Sequence, residues 1–514
     1  MKTSEINLKS KQIAKNTILL YFRQILTMLI SIYTSRIILD ALGVVDYGVY
    51  NVVGGVVTIF AFLNSSLAQA TQRFIAFGIE KETIEKQRKT FSMLLNVHIL
   101  IAILIFILCE TIGLWFFYNK LVIPIDRLNS AFWVMQCSII SLLISVTQVP
   151  YNATIFGHEK MNAYAYISII EVLLKLVIVF ILKFCSSDKL LLYGLLVMIV
   201  QIIIAFIYRF YCKINFQNCN YRIYWSPNMF KQIFSFTSWS VIGNFTYTLN
   251  TQGVNFLINI FFGPVYNAAK GIATAVEAAI SSFVCNFLGA SIPQIIKSYA
   301  IGDIEYCFNL SYKSSKFGFY IFMIIALPLI SIMTPVLSIW LVEVPPHTSI
   351  FCVCSLLFIQ TNSLAGTLQN ISQATGKVRN FQLLHSLTLI LSLPTIYICY
   401  KFKAPVDTFL YVMIIDSFIS FFVQLIAVHQ ILNEYSILNF IKKVTIPEIS
   451  AFIIPFTASI ICWHIEHTIL TAIISFISVL IICLLSIWGI GMTKGERTWI
   501  LNIMTKKIQA YTKK

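Results

Sequence analysis

Long apolar segments recur along the whole chain, and short polar turns separate them. A membrane-spanning helix needs about 20 apolar residues. By that measure the pattern predicts roughly fourteen spans, so the fold class is an all-α polytopic membrane protein. The predicted spans lie near 16–39, 49–77, 91–117, 128–150, 163–183, 189–211, 233–262, 267–290, 316–342, 349–371, 381–400, 407–431, 447–463 and 468–490.

The composition supports a membrane protein and explains the positive charge. Of the 514 residues, 58% are apolar and only 11% are charged, and the net charge is +16. If the N-terminus is cytoplasmic, the predicted cytoplasmic segments hold 26 of the 37 lysines and arginines and the outer loops hold six. This asymmetry is the positive-inside rule. We therefore expect a multi-pass protein of the inner (plasma) membrane, with both termini cytoplasmic and no nucleic-acid partner.

The chain carries signs of an internal duplication. LGVVDYGVYNVVGGV at 42–56 matches FGPVYNAAKGIATAV at 262–276, and FGHEKMN at 156–162 matches TGKVRNF at 375–381. The predicted organisation is a six-helix lobe (1–211), a cytoplasmic linker (212–232), a second six-helix lobe (233–446), and two further spans with a basic cytoplasmic tail (447–514). An architecture of two such lobes with a cavity between them is typical of transporters.

Several cations fall inside predicted spans. Arg23, Lys175 and Lys270 are the most deeply placed. Each charge at mid-membrane costs about 2.5–3.5 kcal/mol, so such residues tend to line a wet cavity or to pair. Lys175 follows Glu171 by one helical turn, which predicts a structural ion pair. Arg23 and Lys270 predict a cationic cavity and an anionic cargo.

Polar residues recur at helical spacing beside these cations. Span one carries Arg23 and Thr27, span seven carries an Asn/Thr stripe, and span eight carries Lys270 and Thr274. Hydrogen bonding between helices is the alternative role for each uncharged member. The candidate substrate-binding residues are Arg23, Lys270, Asn244, Thr248, Asn255 and Thr274.

Two intramembrane acids are candidates for ion coupling. Glu277 lies seven residues beyond Lys270, and Asp416 has no basic residue within one turn of its own helix. Such carboxyls are candidate proton or sodium sites, and the alternative is a neutral acid bonded to a neighbouring helix. The chain has no nucleotide-binding fingerprint and no metal-ligand spacing, so we expect no cofactor. Its short outer loops also argue against an enzyme.

The motifs resemble a known family of transporters. LGVVDYGVYNVV after span one, YNATIFGHEKMNAYAYIS after span four and the Gly/Ala-rich start of span eight resemble the polysaccharide-exporter branch of the multidrug/oligosaccharidyl-lipid/polysaccharide exporter superfamily. The resemblance implies a V-shaped, alternating-access flippase in a bilayer of membrane lipids. Its implied cargo is an undecaprenyl-pyrophosphate-linked oligosaccharide, an O-antigen or capsule repeat unit, moved from the cytoplasmic to the periplasmic leaflet.

The resemblance also assigns residues. Arg23 and Lys270 match cavity cations of relatives, and we expect both to contact one pyrophosphate, with Arg23 about half a bilayer from the outer turns at Gly43 and Gly263. The lipid II branch carries an arginine early in span two, where this chain has Asn51 and glycines, which argues against lipid II as cargo. The alternative function is an ion-coupled multidrug or organic-cation antiporter, which would favour a cavity of carboxylates and aromatics. The energy for transport has three candidate sources: a gradient of a proton or sodium counter-ion, the membrane potential, and coupling to downstream steps.

Overall fold

Helices make up nearly all of the chain that a computed structural model describes, namely residues 2–158, 160–185, 188–375, 377–465, 468–498 and 501–502. The predicted basic tail from 503 onward lies outside these residues. Contacts divide the chain into two units. Unit 1 comprises residues up to 272 with 341–346 and 389–406, and unit 2 comprises 273–340, 347–388 and residues from 407 onward. The lobe boundaries at 211, 232 and 446 stay a prediction.

Unit 1 contains the first eight helices and parts of two others. Its core includes Phe91, Met93, Leu94 and Ile155, each at most 1% exposed. The ninth helix begins in this unit and continues beyond it. The helices are α1 (Lys2–Thr58), α2 (Ala61–Lys81), α3 (Ile84–Leu108), α4 (Leu114–Asn119), α5 (Leu128–Gly157), α6 (Met161–Phe184), α7 (Lys189–Asn215), α8 (Pro227–Phe262) and α9 (Pro264–Ala300).

Two glycines turn the chain at corresponding places of the predicted duplication. Gly43 interrupts α1 with φ 76° and ψ 168°. Gly263 separates α8 from α9 with φ 84° and ψ 179°. Positive φ is strained for residues with a Cβ, so glycine suits both turns. The two turns lie at the same face of unit 1, because Gly48 packs against the backbone of Pro264.

An ion-pair network stabilises this same face of unit 1. Arg127 contacts Asp46 at 3.1 Å and Asp188 at 3.6 Å. Asp188 caps α7 through the amides of Leu190 and Leu191, and it accepts from Ser130. Burial alone would raise the pKa of the Asp188 carboxyl, but these hydrogen bonds and the charge of Arg127 hold it below its usual value.

The linker between α7 and α8 packs on the opposite face. Arg88 Nε donates to the carbonyl of Gln217 at 2.8 Å, and Asn96 Nδ2 donates to the carbonyl of Tyr224 at 2.9 Å. The ring of His158, in the α5–α6 turn, stacks on Phe216 with centroids 4.3 Å apart. The linker therefore packs on the face of unit 1 that carries the start of α3 and the end of α5, opposite the Gly43 and Gly263 turns.

Unit 2 is built around its first complete helix, which packs against three others. This central helix is α10 (Ile304–Ser331), whereas the sequence pattern placed the start of span nine at 316. The helices that follow α10 are α11 (Met333–Trp340), α12 (Thr348–Asn362), α13 (Leu368–Thr375), α14 (Val378–Lys401), α15 (Thr408–Ile431), α16 (Ile437–Phe440), α17 (Ile446–Trp463) and α18 (Ile469–Ser486), and the second half of α14 belongs to unit 1.

Most residues of the predicted membrane segments are helical. Within the described part of the chain, eleven helical segments are long and apolar enough to cross a bilayer. The all-α polytopic class is confirmed, but the count of fourteen spans is not. Helices α8 and α9 are absent from the eleven although they have 36 and 37 residues.

Candidate functional site

Arg23 lies inside unit 1, where α1 packs against α6. Its guanidinium lies over the ring of Tyr164, 4.9 Å from the centroid. Nη1 reaches Ser168 Oγ at 3.4 Å, and Nη2 reaches the side-chain oxygen of Gln24 at 3.4 Å. Aromatic stacking and hydroxyl contacts hold an arginine without neutralising it. Arg23 therefore keeps its positive charge available at this site.

Much of the hydrogen-bonding capacity of Arg23 is unused. A guanidinium has five N–H donors in a planar fork. Two of them make long bonds, and Nε is buried with no acceptor among the described residues. The nearest acid on α6 pairs elsewhere, because Glu171 accepts from Lys175 Nζ at 2.6 Å. This confirms the predicted Glu171–Lys175 pair and leaves Arg23 suited to bind an anion.

Arg23 and Lys270 lie at different depths in unit 1. Arg23 precedes the Gly43 turn by twenty residues, which is about 30 Å of helix, whereas Lys270 follows the Gly263 turn by seven residues, about 10 Å. The contact of Arg23 with Ser168 also places Arg23 far from the glycine turns, because Ser168 is about 10 Å from the start of α6, at the opposite face. Our expectation that both cations contact one pyrophosphate stays a prediction. Arg23 is also farther than half a bilayer from the turns.

Asparagines of the predicted polar stripes bond to each other. Asn259 exchanges hydrogen bonds with the backbone of Val122 at 2.8 and 3.2 Å, and its Nδ2 also donates to Asn267 at 3.1 Å. Asn267 Nδ2 donates to Asn255 Oδ1 at 2.6 Å, and Asn255 Nδ2 donates to the carbonyl of Asn51 at 3.3 Å. We call these four asparagines the asparagine network. The network joins α1, α8 and α9. Asn255 thus forms hydrogen bonds between helices, which is the alternative role given for it above.

The remaining candidate residues on α8 and α9 differ in their hydrogen bonding and in their exposure to solvent. Asn244 Nδ2 donates to Ser66 Oγ on α2 at 2.9 Å, so its amide is engaged within unit 1. Thr248 and Lys270 are half-buried, whereas Thr274 is exposed. Glu277 is half-buried on α9. A cargo-binding role for these residues stays a prediction.

Asp416 is half-buried on α15 in unit 2. Its polar neighbours in sequence bond to other helices: Ser417 pairs with Thr361 on α12, and Ser420 lies 2.8 Å from His385 Nδ1 on α14. No hydrogen bond or ion pair among the described residues involves Asp416, so the predicted alternative of an acid bonded to a neighbouring helix is not seen there. Within that part of the chain, no three His, Cys, Asp or Glu residues are grouped to hold a metal ion.

Sequence reasoning missed a buried charged cluster in unit 2. Lys316 on α10 pairs with Glu496 at 2.6 Å, and Glu448 on α17 is fully buried. Lys316 is the first residue of predicted span nine, and the pattern indicates no partner for it. One feature of the sequence could have indicated this buried cluster: Glu448 is a single acid close to the start of a predicted span.

Comparisons with known proteins identify the family. Residues 13–299 match the model of the polysaccharide biosynthesis protein family, so the chain belongs to that family. It is 20% identical over 346 residues to the uncharacterized membrane protein EpsK of Bacillus subtilis, covering 67% of each chain.

Solved structures identify the fold. A multidrug resistance MATE family transporter of the MOP superfamily, in an inward-facing conformation, matches with a TM-score of 0.66 and 13% identity, over 82% of this chain and 98% of that one. The lipid II flippase MurJ, in an inward closed conformation, matches with a TM-score of 0.63 and 12% identity, over 93% and 99%. The chain therefore belongs to the polysaccharide biosynthesis protein family and has the fold of these two transporters.

Proposed function

We propose that this protein is a flippase for an undecaprenyl-pyrophosphate-linked oligosaccharide, such as an O-antigen, capsule or exopolysaccharide repeat unit. The direction of transport is from the cytoplasmic to the periplasmic leaflet of the inner membrane, by alternating access. Membership of the polysaccharide biosynthesis protein family supports a glycan cargo. The likeness to MurJ, a lipid II flippase, supports a lipid-linked one.

The single observation that carries the proposal is the set of contacts around the Arg23 guanidinium. Its guanidinium is held by Tyr164 and Ser168, and among the described residues its Nε is buried without an acceptor and no acid forms an ion pair with it. Pyrophosphate oxygens match such a fork, because arginine can donate two parallel hydrogen bonds to a phosphate. An organic cation would be repelled from this site.

The separation of the two cations suggests an order of contact. Arg23 lies toward the face that carries the linker, which we assign to the cytoplasm, and Lys270 lies about 20 Å nearer the opposite face. The pyrophosphate meets Arg23 first, on entry, and reaches Lys270 only after the cargo or the helices have moved. The polar residues Asn244, Thr248 and Thr274 are the proposed contacts of the sugars.

Binding of undecaprenyl pyrophosphate to the full chain in lipid nanodiscs tests the assignment. Charge-assisted hydrogen bonds contribute about 1.5–3 kcal/mol, so Arg23→Ala should weaken binding roughly 10- to 100-fold. Undecaprenol, which lacks the pyrophosphate, should bind the two proteins equally. Arg209→Ala is the matched control, because Arg209 also lies over a tyrosine ring, Tyr151, and donates to a hydroxyl, Thr147.

Two results would contradict the proposal. One is equal binding of undecaprenyl pyrophosphate to wild-type protein and Arg23→Ala. The other is organic-cation binding that competes with the lipid and is strengthened by removal of the arginine, which would favour the antiporter alternative.

A further inference from the structure

A buried ion pair joins the C-terminal segment of unit 2 to its central helix. Lys316 Nζ on α10 lies 2.6 Å from both carboxylate oxygens of Glu496. The lysine side chain is 3% exposed and that of Glu496 is 12% exposed. Glu496 also accepts from the amide of Thr493 at 2.8 Å and from its hydroxyl at 2.9 Å. The carboxylate of Glu496 is therefore fully satisfied.

Glu496 is ionised in this arrangement. Burial would raise the pKa of its carboxyl, but the hydrogen bonds from Lys316 and Thr493 hold that pKa below its usual value. Glu496 thereby neutralises the positive charge of Lys316, and the ion pair has no net charge.

Glu448 lies in the same cluster without any hydrogen-bond donor. It is 0% exposed, and neither carboxyl oxygen has a partner among the described residues. The charge of Lys316 is near enough to act on it. An ionised carboxylate buried without donors is strongly disfavoured. If both acids were ionised, the buried cluster would carry one uncompensated negative charge.

Among the described residues, no second cation pairs with Glu448. Lys442 and Lys443, which directly precede α17, are both exposed. Helix α10 contributes Lys316 and Tyr320, whose hydroxyl donates to the carbonyl of Gly491 at 2.8 Å. Helix α18 has no charged residue. The C-terminal segment contributes Glu496 and Arg497, and the guanidinium of Arg497 donates to the carbonyl of Gly489 at 2.6 Å. A proton on Glu448 is the simplest occupant that restores neutrality.

We propose that Glu448 is a proton-binding site whose occupancy is controlled by the C-terminal segment around Glu496. While Glu496 holds Lys316, Glu448 keeps its proton. When the C-terminal segment withdraws, Lys316 remains an ammonium and changes partner to Glu448. The O–H bond of the Glu448 carboxyl then breaks, and the proton passes to water that enters the vacated position. This site is separate from Arg23 and does not depend on the identity of the cargo.

Difference infrared spectroscopy of the full chain in nanodiscs tests the site. A protonated carboxyl group has a carbonyl stretch that a carboxylate lacks. At neutral pH we expect Glu448→Gln to remove one such band from the wild-type spectrum. Glu434→Gln is the control, because Glu434 is an exposed acid and should contribute no band. An unchanged spectrum in Glu448→Gln would overturn the proposal, since Glu448 would then be ionised or hold another cation.

The control by the C-terminal segment has its own test. Glu496→Gln should bleach the Glu448 band, because Lys316 then pairs with Glu448. The double variant Lys316→Met, Glu496→Gln should retain the band, because it leaves no ammonium to stabilise the carboxylate. This double variant carries no unpaired buried charge, so it also serves if Glu496→Gln alone does not fold. A band of full intensity in a folded Glu496→Gln protein, or a bleached band in the double variant, would contradict the exchange of partners.

Discussion

Replacing Gly48 by alanine should separate the second half of α1 from the start of α9. A methyl group at Gly48 would overlap the carbonyl oxygen of Pro264, lie 2.7 Å from its carbonyl carbon and lie 3.3 Å from the amide nitrogen of Ala268. All three atoms belong to the backbone, so no change of rotamer relieves the overlap. Overpacking costs about 1–3 kcal/mol, and we expect the upper end of that range.

Gly54→Ala is the matched control for this substitution. Gly54 lies six residues further along the same helix, and a methyl group there meets nothing within 4 Å. Alanine in that helical position should stabilise the protein by up to about 1 kcal/mol. Thermal unfolding of purified protein in one detergent should therefore rank Gly54→Ala at or above wild type and Gly48→Ala well below it. Equal melting temperatures for the two variants would refute the close approach of α1 and α9.

Three further predictions concern other parts of the molecule. Asp188→Asn should lower the melting temperature at neutral pH; because the pKa of Asp188 is depressed in the folded state, its contribution is lost as pH falls, and the variant and wild type should converge in acid. Asn259→Leu leaves buried partners unpaired and should cost about 1–3 kcal/mol of unfolding free energy, whereas Asn119→Leu at an exposed helix end should cost little, and equal losses in denaturant unfolding would count against the asparagine network. If flipping depends on an ion gradient, Glu277→Gln or Asp416→Asn should abolish that dependence in proteoliposomes without loss of folded protein, and unchanged dependence in both would remove these acids from the mechanism.

The sequence pattern predicted those features that depend on local chemistry. Apolar runs marked the helices, and the Glu171–Lys175 spacing marked an ion pair that the structure contains. Gly43 and Gly263 marked two turns that require positive φ. In each case the residues that decide the structure lie within a few positions of one another.

Features that depend on distant partners were missed or misassigned. Lys316 is buried because Glu496, 180 positions further along the chain, pairs with it, and local spacing does not reveal such a distant partner. The hydrogen bonds of the Asn255 amide to Asn51 and Asn267, which come from other helices, do not follow from local spacing, and a cargo-binding role for Asn255 stays a prediction. The depth of Arg23 was misjudged because α1 extends about 30 Å beyond it to the Gly43 turn, longer than half a bilayer.

The most direct test of the central claim is translocation of an undecaprenyl-pyrophosphate-linked oligosaccharide by the purified protein in proteoliposomes. Glycan exposed on the starting leaflet would be followed with a membrane-impermeant, glycan-cleaving enzyme. The account predicts that wild-type protein and Arg209→Ala move the glycan out of reach of the enzyme, whereas Arg23→Ala, incorporated at the same level, moves it at a small fraction of that rate. Equal rates for Arg23→Ala and wild type would contradict the account, as would the absence of glycan movement by a wild-type protein that transports organic cations.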